Sequence, residues 1–284
     1  MKLARFDAGT GPRIGIVNGN SLVDIAARGS AYTSMGQIIA AGDAALDEFR
    51  ELVASVEPTH ELDGVRLLAP IERPGKYLAI GMNYAKHLEE ADRLGVARSK
   101  HQVWFNKQTS CLSGPFDPIE PGVTQQLDYE VELGLVIGRS AKSVSAEDAY
   151  SHIFGYFVAN DVSARDWQFH SPTFTMGKSF DTHGPIGPWI VTRDEIDDPQ
   201  NLHLRCYVNG EQRQANNTAN MIHGIAQQIE YLSTAFTLEE GDLIATGTPE
   251  GVGVGREPQV FLQPGDVVRC EVEGIGAIEN TVAG

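Results

Sequence analysis

The 284-residue chain has little positive charge, little sulfur and no long apolar run. Its 22 Lys and Arg face 38 Asp and Glu, a formal net charge of −16. A surface of that sign repels nucleic-acid phosphates and anionic membranes, so neither is expected as a partner. No stretch approaches the length of apolar sequence that a membrane-spanning helix needs. Met1–Asp7 lacks the apolar segment of a secretory signal. The 3 cysteines, Cys111, Cys206 and Cys270, lie far apart with no Cys-x-x-Cys pair. That excludes a disulfide framework and fits a reducing cytoplasm. Cys206 and Cys270 fall in strand-like runs and read as core filler. Cys111 has no histidine near it in sequence that would make it a nucleophile. Internal repeats and low-complexity segments are also missing. The glycine run Thr246–Gly255 contains no Gly-Lys-Ser/Thr and leads into Arg256-Glu257-Pro258 rather than a helix, so it is not a phosphate loop.

What the chain does have is Asp128–Gly138, Asp-Tyr-Glu-Val-Glu-Leu-Gly-Leu-Val-Ile-Gly. The stretch alternates and then turns apolar, the pattern of a strand entering a core. Strand geometry puts Glu130 and Glu132 on one face, roughly 6–7 Å apart along the strand. Two half-buried carboxylates so close repel unless a cation sits between them, and hard oxygen ligands point to Mg²⁺, Mn²⁺ or Ca²⁺. A solvated strand face explains the same spacing, and Glu271-Val272-Glu273 repeats it without any companion motif.

Around this stretch, residues 1–70 read as a small unit of strands and two short helices. The second helix opens at Asp43 as a candidate N-cap. The Pro- and Gly-bearing Leu68–Gly75 marks a boundary before a unit spanning 71–284. Asn83 is placed to cap a helix over Tyr84–Leu94, on which His87 and Glu90 share a face. The charged stretch up to His101 has no core-facing stripe and reads as a cover. Val103–Lys107 is a strand ending on Lys107. Ile153–Asp161 is an apolar strand ending on an acid, and a following helix would align Asp161, Arg165 and Gln168. Lys178 lies in a loop. Asn209-Gly210 is a hairpin turn, and Ala219–Phe236 carries a helical apolar stripe. Strands dominate the C-terminal part, which favours a β-rich roll over an alternating α/β sheet.

Five stretches in this order carry a family signature: Gly81-x-Asn83-Tyr84-x-x-His87-x-x-Glu90, Asp128–Gly134, Asn160–Asp166, Gly177–Asp181 and Thr246-Gly247-Thr248-Pro249-x-Gly251-Val252-Gly253. Together they resemble the fumarylacetoacetate hydrolase family. The resemblance implies an α+β, β-rich fold, a mixed β-roll or sandwich with a small N-terminal α+β domain. It makes Glu130, Glu132 and Asp161 ligands of Mg²⁺, with Mn²⁺ or Ca²⁺ as substitutes. His87 and Glu90 become a water-activating dyad. Lys178 becomes a catalytic group, and Arg165, Gln168, Thr248 and Lys107 become substrate contacts. Where many members have Lys-Pro, this chain has Lys107-Gln108, which weakens the transfer of that contact.

The implied substrate is a small 2-oxo or 2,4-dioxo acid, and the implied assembly is a homodimer. The implied reaction is hydrolysis of a C–C bond in an acylpyruvate, with the metal stabilising the enolate that leaves. Decarboxylation of an oxaloacetate-type acid, or keto–enol isomerisation, would use the same scaffold without an activated water. A binding protein with the metal as a mere staple would have no need of His87, Glu90, Arg165 and Lys178.

Overall fold

A computed structural model describes residues 1–284. Its spine is a 12-stranded mixed sheet. From one edge the strands run His60–Glu61, Ser21–Asp24, Pro12–Asn18, Lys2–Asp7, Gly184–Thr192, Ile153–Asn160, Val131–Ile137, Leu243–Ala245, Tyr77–Gly81 and Val103–Lys107, with two short strands attached beside this path. A 4-stranded sheet, from Glu211–Asn217, His203–Val208, Val267–Val272 and Gly276–Thr281, packs against it. Leu133, Leu135 and Val158 of the large sheet share one core with Leu204, Val268 and Ile278 of the small one. The β-rich α+β architecture read from the sequence is the one observed.

There are five α-helices: α1 (Met35–Ala41), α2 (Asp43–Ser55), α3 (Ala85–Arg93), α4 (Arg165–Gln168) and α5 (Ile225–Ala235). α1 begins at Ser34, whose hydroxyl accepts from the Gln37 N–H. α2 has Gly42 as its N-cap, at φ 57°, so Asp43 is the first helical residue and not the cap. Its charge still faces the positive end of the helix. α5 is shorter than the apolar stripe predicted. Met221 bridges to Tyr84, and the Ile222 N–H donates to the Asn83 carbonyl, so the backbone before Ile225 is committed elsewhere. Ile222 and Phe236 consequently fall outside the helix and are exposed. Asn83 does not cap α3: its amide donates to the carbonyls of His223 and Thr246 and accepts from the His223 N–H.

The N-terminal strands do not form a sheet of their own. Lys2 and Leu3 pair with Val191 and Ile190 of the strand Gly184–Thr192. Ile38, Ile39 and Phe49 of α1 and α2 pack in one cluster with Phe157, Ile186 and Ile190. The sequence boundary near Leu68–Gly75 therefore divides the chain without dividing the core. No helix is long and apolar enough to cross a membrane.

Because this core is continuous, Phe49→Ala should destabilise the whole molecule by about 3–5 kcal/mol. Thermal unfolding followed by near-ultraviolet dichroism should show one transition, displaced downward. Two separated transitions would show that residues 1–70 melt by themselves.

Candidate active site

Val131 and Asn160 are paired residues of adjacent antiparallel strands, so Glu130 and Asp161 emerge together just beyond the pair. The Asp161 N–H donates to the Glu130 carbonyl at 2.9 Å, and the Glu130 N–H donates to Asn160 Oδ1 at 2.9 Å. The alternation of the strand brings Glu132 to the same side. One carboxylate oxygen from each of Glu130, Glu132 and Asp161 lies within 4.8 Å of the others, and all three side chains are buried.

Three buried cations balance most of this charge. Lys178 Nζ donates to Glu130 Oε2 at 2.7 Å and to Asp161 Oδ2 at 2.8 Å. Lys107 Nζ donates to Asp161 Oδ1 and to the carbonyls of Lys178 and His183. Arg165 Nε donates to Asp128 Oδ2 at 2.8 Å, Nη1 donates to Gln168 Oε1 at 2.9 Å, and Nη2 lies 2.7 Å from Glu130 Oε1. Burial alone would raise Glu130, but Lys178 and Arg165 outweigh it and hold the carboxyl down to about 2. Glu132 behaves in the opposite way. Burial, then Asp161 and Glu130, push it well above the usual carboxylate range. Its single hydrogen bond comes from the Gly247 N–H at 2.8 Å, and no cation of the chain pairs with it. A carboxylate left without a counter-ion beside two others is a hard-oxygen donor set that fits Mg²⁺, Mn²⁺ or Ca²⁺.

Facing this cluster, α3 presents His87 and Glu90 one turn apart, with His87 Nδ1 at 3.1 Å from Glu90 Oε2. The other carboxylate oxygen, Glu90 Oε1, accepts from the Gly251 N–H at 2.9 Å, so the dyad is tied to the glycine run. His87 Nε2 has no partner within the chain. His87, Glu90, Glu130, Arg165, Gln168, Lys178 and Thr248 line one cavity of about 70 Å³. A wider cleft of about 590 Å³ adjoins it across Leu94, Val96, Phe169 and Phe174.

The glycine run explains much of this geometry. Besides the bonds of Gly247 to Glu132 and Gly251 to Glu90, the Gly253 and Val254 N–H groups donate to the two oxygens of Asp128. Gly247 and Gly251 have φ near +100°, and a Cβ on Gly251 would come within 2.2 Å of the Arg213 carbonyl. Only glycine fits there.

The structure brings Glu130, Glu132, Asp161, His87, Glu90, Arg165, Gln168, Lys178 and Thr248 together. Glu132, Asp161 and Lys107 do not themselves line the cavity. The Lys107 side chain is fully enclosed beneath Asp161, and its three donors are spent on Asp161 and two carbonyls. Asp161, Arg165 and Gln168 do not share a helix face, because α4 begins only at Arg165 after a short strand. Arg165 turns to Asp128 and Glu130. Asp128 was not singled out, although its period-2 spacing from Glu130 and Glu132 was the available signal. Gln214 was missed as well. It is buried, donates to Thr248 Oγ1 at 2.8 Å and accepts from the Val131 N–H, and nothing local in its sequence points to the site. Of the Glu271/Glu273 pair only Glu271 lies in a strand, Glu273 opening the turn that follows, and both have ordinary partners, Glu271 on Arg269 and Glu273 accepting from the His203 N–H. Cys111 is buried, and burial pushes its thiol up to about 11. Cys206 and Cys270 are core residues.

Residues 76–283 match the family model of the fumarylacetoacetate (FAA) hydrolase C-terminal domain, and residues 1–70 match that of an Rv2993c-like N-terminal segment. The mitochondrial oxaloacetate tautomerase of Xenopus laevis is 42% identical over 290 residues, 99% of this chain and 90% of its own. The fumarylacetoacetate hydrolase structure from Exiguobacterium antarcticum superposes with a TM-score of 0.83 at 39% identity, covering 100% of this chain and 99% of that one. The maleylpyruvate hydrolase of Sphingobium sp. SYK-6, solved with manganese(II) and pyruvate, gives a TM-score of 0.83 at 32% identity, with coverage of 100% and 99%.

Glu132→Gln provides the test of the carboxylate cluster. In metal-free buffer the wild type should lose stability as pH rises above the ordinary carboxylate range, because the unfolded chain ionises there while Glu132 in the fold resists. The variant should lack that loss and melt higher near neutrality. Glu130 contributes in the opposite sense, with stability present above its ordinary range and lost as pH falls toward its folded value of about 2. Calorimetry should show Mn²⁺ affinity reduced in Glu132→Gln by more than the roughly 10–100-fold typical of an outer-shell change. Unchanged affinity would remove Glu132 from the ligand set.

Proposed function

The chain belongs to the fumarylacetoacetate hydrolase family, and on that premise we propose that it is a divalent-metal-dependent enzyme interconverting the keto and enol forms of a short 2-oxo dicarboxylic acid of the oxaloacetate type. The observation that carries this reading is the cavity of about 70 Å³, in which the His87/Glu90 pair is joined by Glu130 and the cations Lys178 and Arg165, with Glu132 and Asp161 clustered against Glu130 behind the lining. Water needs about 10–15 Å³ measured in this way, so the space has room for a compact acid. The identity with an oxaloacetate tautomerase over nearly the whole chain supports the same reading.

Glu130, Glu132 and Asp161 would hold Mg²⁺ or Mn²⁺, and such an ion supplies Lewis-acid polarisation of the keto oxygen and charge for the substrate carboxylate. The chain's own groups do the rest. Glu90 accepts the Nδ1 proton of His87, which fixes the tautomer and leaves Nε2 as the base. Nε2 takes a proton from the carbon next to the keto group, and the electron pair moves into the new C=C bond. Glu90 stabilises the imidazolium. Lys178, with two protons on Glu130 and Asp161, keeps its third for the oxygen on which charge develops. The imidazolium then returns its proton to that oxygen. The net result is a proton shift with nothing consumed. Gln168 and Thr248 offer neutral polar groups to the rest of the substrate.

The hydrolytic reading is favoured by a different observation, the cleft of about 590 Å³ beside the cavity. There His87 Nε2 would deprotonate water for attack on the distant carbonyl of an acylpyruvate, giving a carboxylic acid and pyruvate. Maleylpyruvate hydrolase shares the fold at 32% identity.

The two readings separate in one assay set with Mg²⁺ present. Tautomerisation is read as deuterium uptake at C3 of oxaloacetate and decay of enol absorbance; hydrolysis is read as pyruvate release from acylpyruvates. The first should exceed the second, and a chelator should abolish it. His87→Ala should lower tautomerisation by roughly 10²–10⁴-fold, and Glu90→Gln by less, because it keeps the hydrogen bond and loses the charge. Pyruvate release outpacing deuterium uptake would establish hydrolysis as the main reaction. A His87→Ala rate within about threefold of wild type, well short of the general-base range, would exclude the imidazole as base.

A further inference from the structure

Phe174 stands where the inner cavity and the outer cleft meet, and it lines both. Its backbone is left-handed at φ 59°, a conformation that glycine adopts freely and a bulky residue rarely does. Keeping a phenylalanine there favours a role for the ring. The ring lies edge-on to Phe105 (centroids 6.0 Å apart) and to Phe169 (5.9 Å), forming an aromatic row from the cavity wall to the exposed rim. Lys178 Nζ sits 5.1 Å over the Phe105 ring, and the Lys178 N–H donates to the Phe174 carbonyl at 3.2 Å. The partition and the lysine of the site thus belong to one loop.

Beyond the ring, the cleft is lined by Leu94, Val96, Pro172 and Val254, with Gln126 and Gln259 at its polar edge. Its one ionisable side chain is Arg165, whose guanidinium is already engaged by Asp128, Glu130 and Gln168. No free cation in the cleft would pair with a second carboxylate.

We propose that Phe174 is the specificity-determining partition of the site, and that with the ring displaced the outer cleft seats an uncharged apolar tail on a 2-oxo acid. This rests on the 2-oxo acid reading above. It assigns the long-chain substrates to apolar acyl or aryl compounds and excludes those that end in a carboxylate.

The test is calorimetric titration of the Mn²⁺-loaded protein with three ligands: oxalate, which has no tail, 2-oxooctanoate, and 2-oxooctanedioate, which has the same chain ended by a carboxylate. The wild type should prefer 2-oxooctanoate to the diacid by about tenfold, the scale of a hydrophobic-pocket difference. Phe174→Ala should tighten 2-oxooctanoate by about tenfold while leaving oxalate within about twofold. Phe174→Gly, which relieves the left-handed backbone, serves as a second variant and should give the same shift with no fall in melting temperature. Gln259→Trp narrows the cleft from a wall that does not touch the inner cavity, and should weaken both tailed ligands while leaving oxalate unchanged. An unchanged ratio of 2-oxooctanoate to oxalate affinity in these variants, or equal affinity for the diacid, overturns the proposal. Failure of oxalate to bind the wild type overturns the 2-oxo acid reading itself, and the proposal with it.

Discussion

The site depends on backbone N–H groups donating to carboxylates. Within Gly247–Val254 the amides of Gly247, Gly251, Gly253 and Val254 reach Glu132, Glu90 and Asp128. These acids come from different parts of the chain: a member of the carboxylate cluster, the partner of His87 and the anchor of Arg165. Hydrogen bonds to charged groups contribute about 1.5–3 kcal/mol each, and a backbone donor cannot change rotamer. A run that resembles a phosphate loop thus grips the protein's own anions. Fixing Glu90 fixes the tautomer of His87, and fixing Asp128 aims Arg165 at Glu130.

Charge balance then decides what the site can receive. Lys107, Lys178 and Arg165 face Glu130, Asp161 and Asp128, which leaves Glu132 as the uncompensated group. Breaking a buried pair by removing one partner is strongly destabilising, so these lysines hold the fold as well as the site. Four carboxylates against three cations leave the cluster short of one positive charge, in a protein whose net charge is already −16.

Much of this was legible in the chain, because the signals were local. Strand alternation put Glu130 and Glu132 on one face, Asp161 closed an apolar strand, and His87 and Glu90 sat one helical turn apart. What escaped was set by distant partners. Arg165 was read along a helix toward Asp161, but it pairs with Asp128, from a separate strand. Asn83 had the chemistry of a cap, yet the loop at His223 and the carbonyl of Thr246 claimed its amide. Lys107 read as a substrate contact because its sequence could not reveal that three acceptors converge beneath Asp161. Backbone donors such as Gly251 carry no side-chain signal at all. The N-terminal strands also looked self-contained, because their pairing with Gly184–Thr192 crosses most of the sequence.

The separation between the buried carboxylate cluster and the apolar rim has a consequence for substitution. The cluster is cross-linked by hydrogen bonds from many segments, so drift at any one member is penalised by the rest. The side chains of Leu94 and Phe169 at the rim have no such polar partners. A substitution at the rim can therefore alter the space beside the cavity without disturbing the carboxylate cluster.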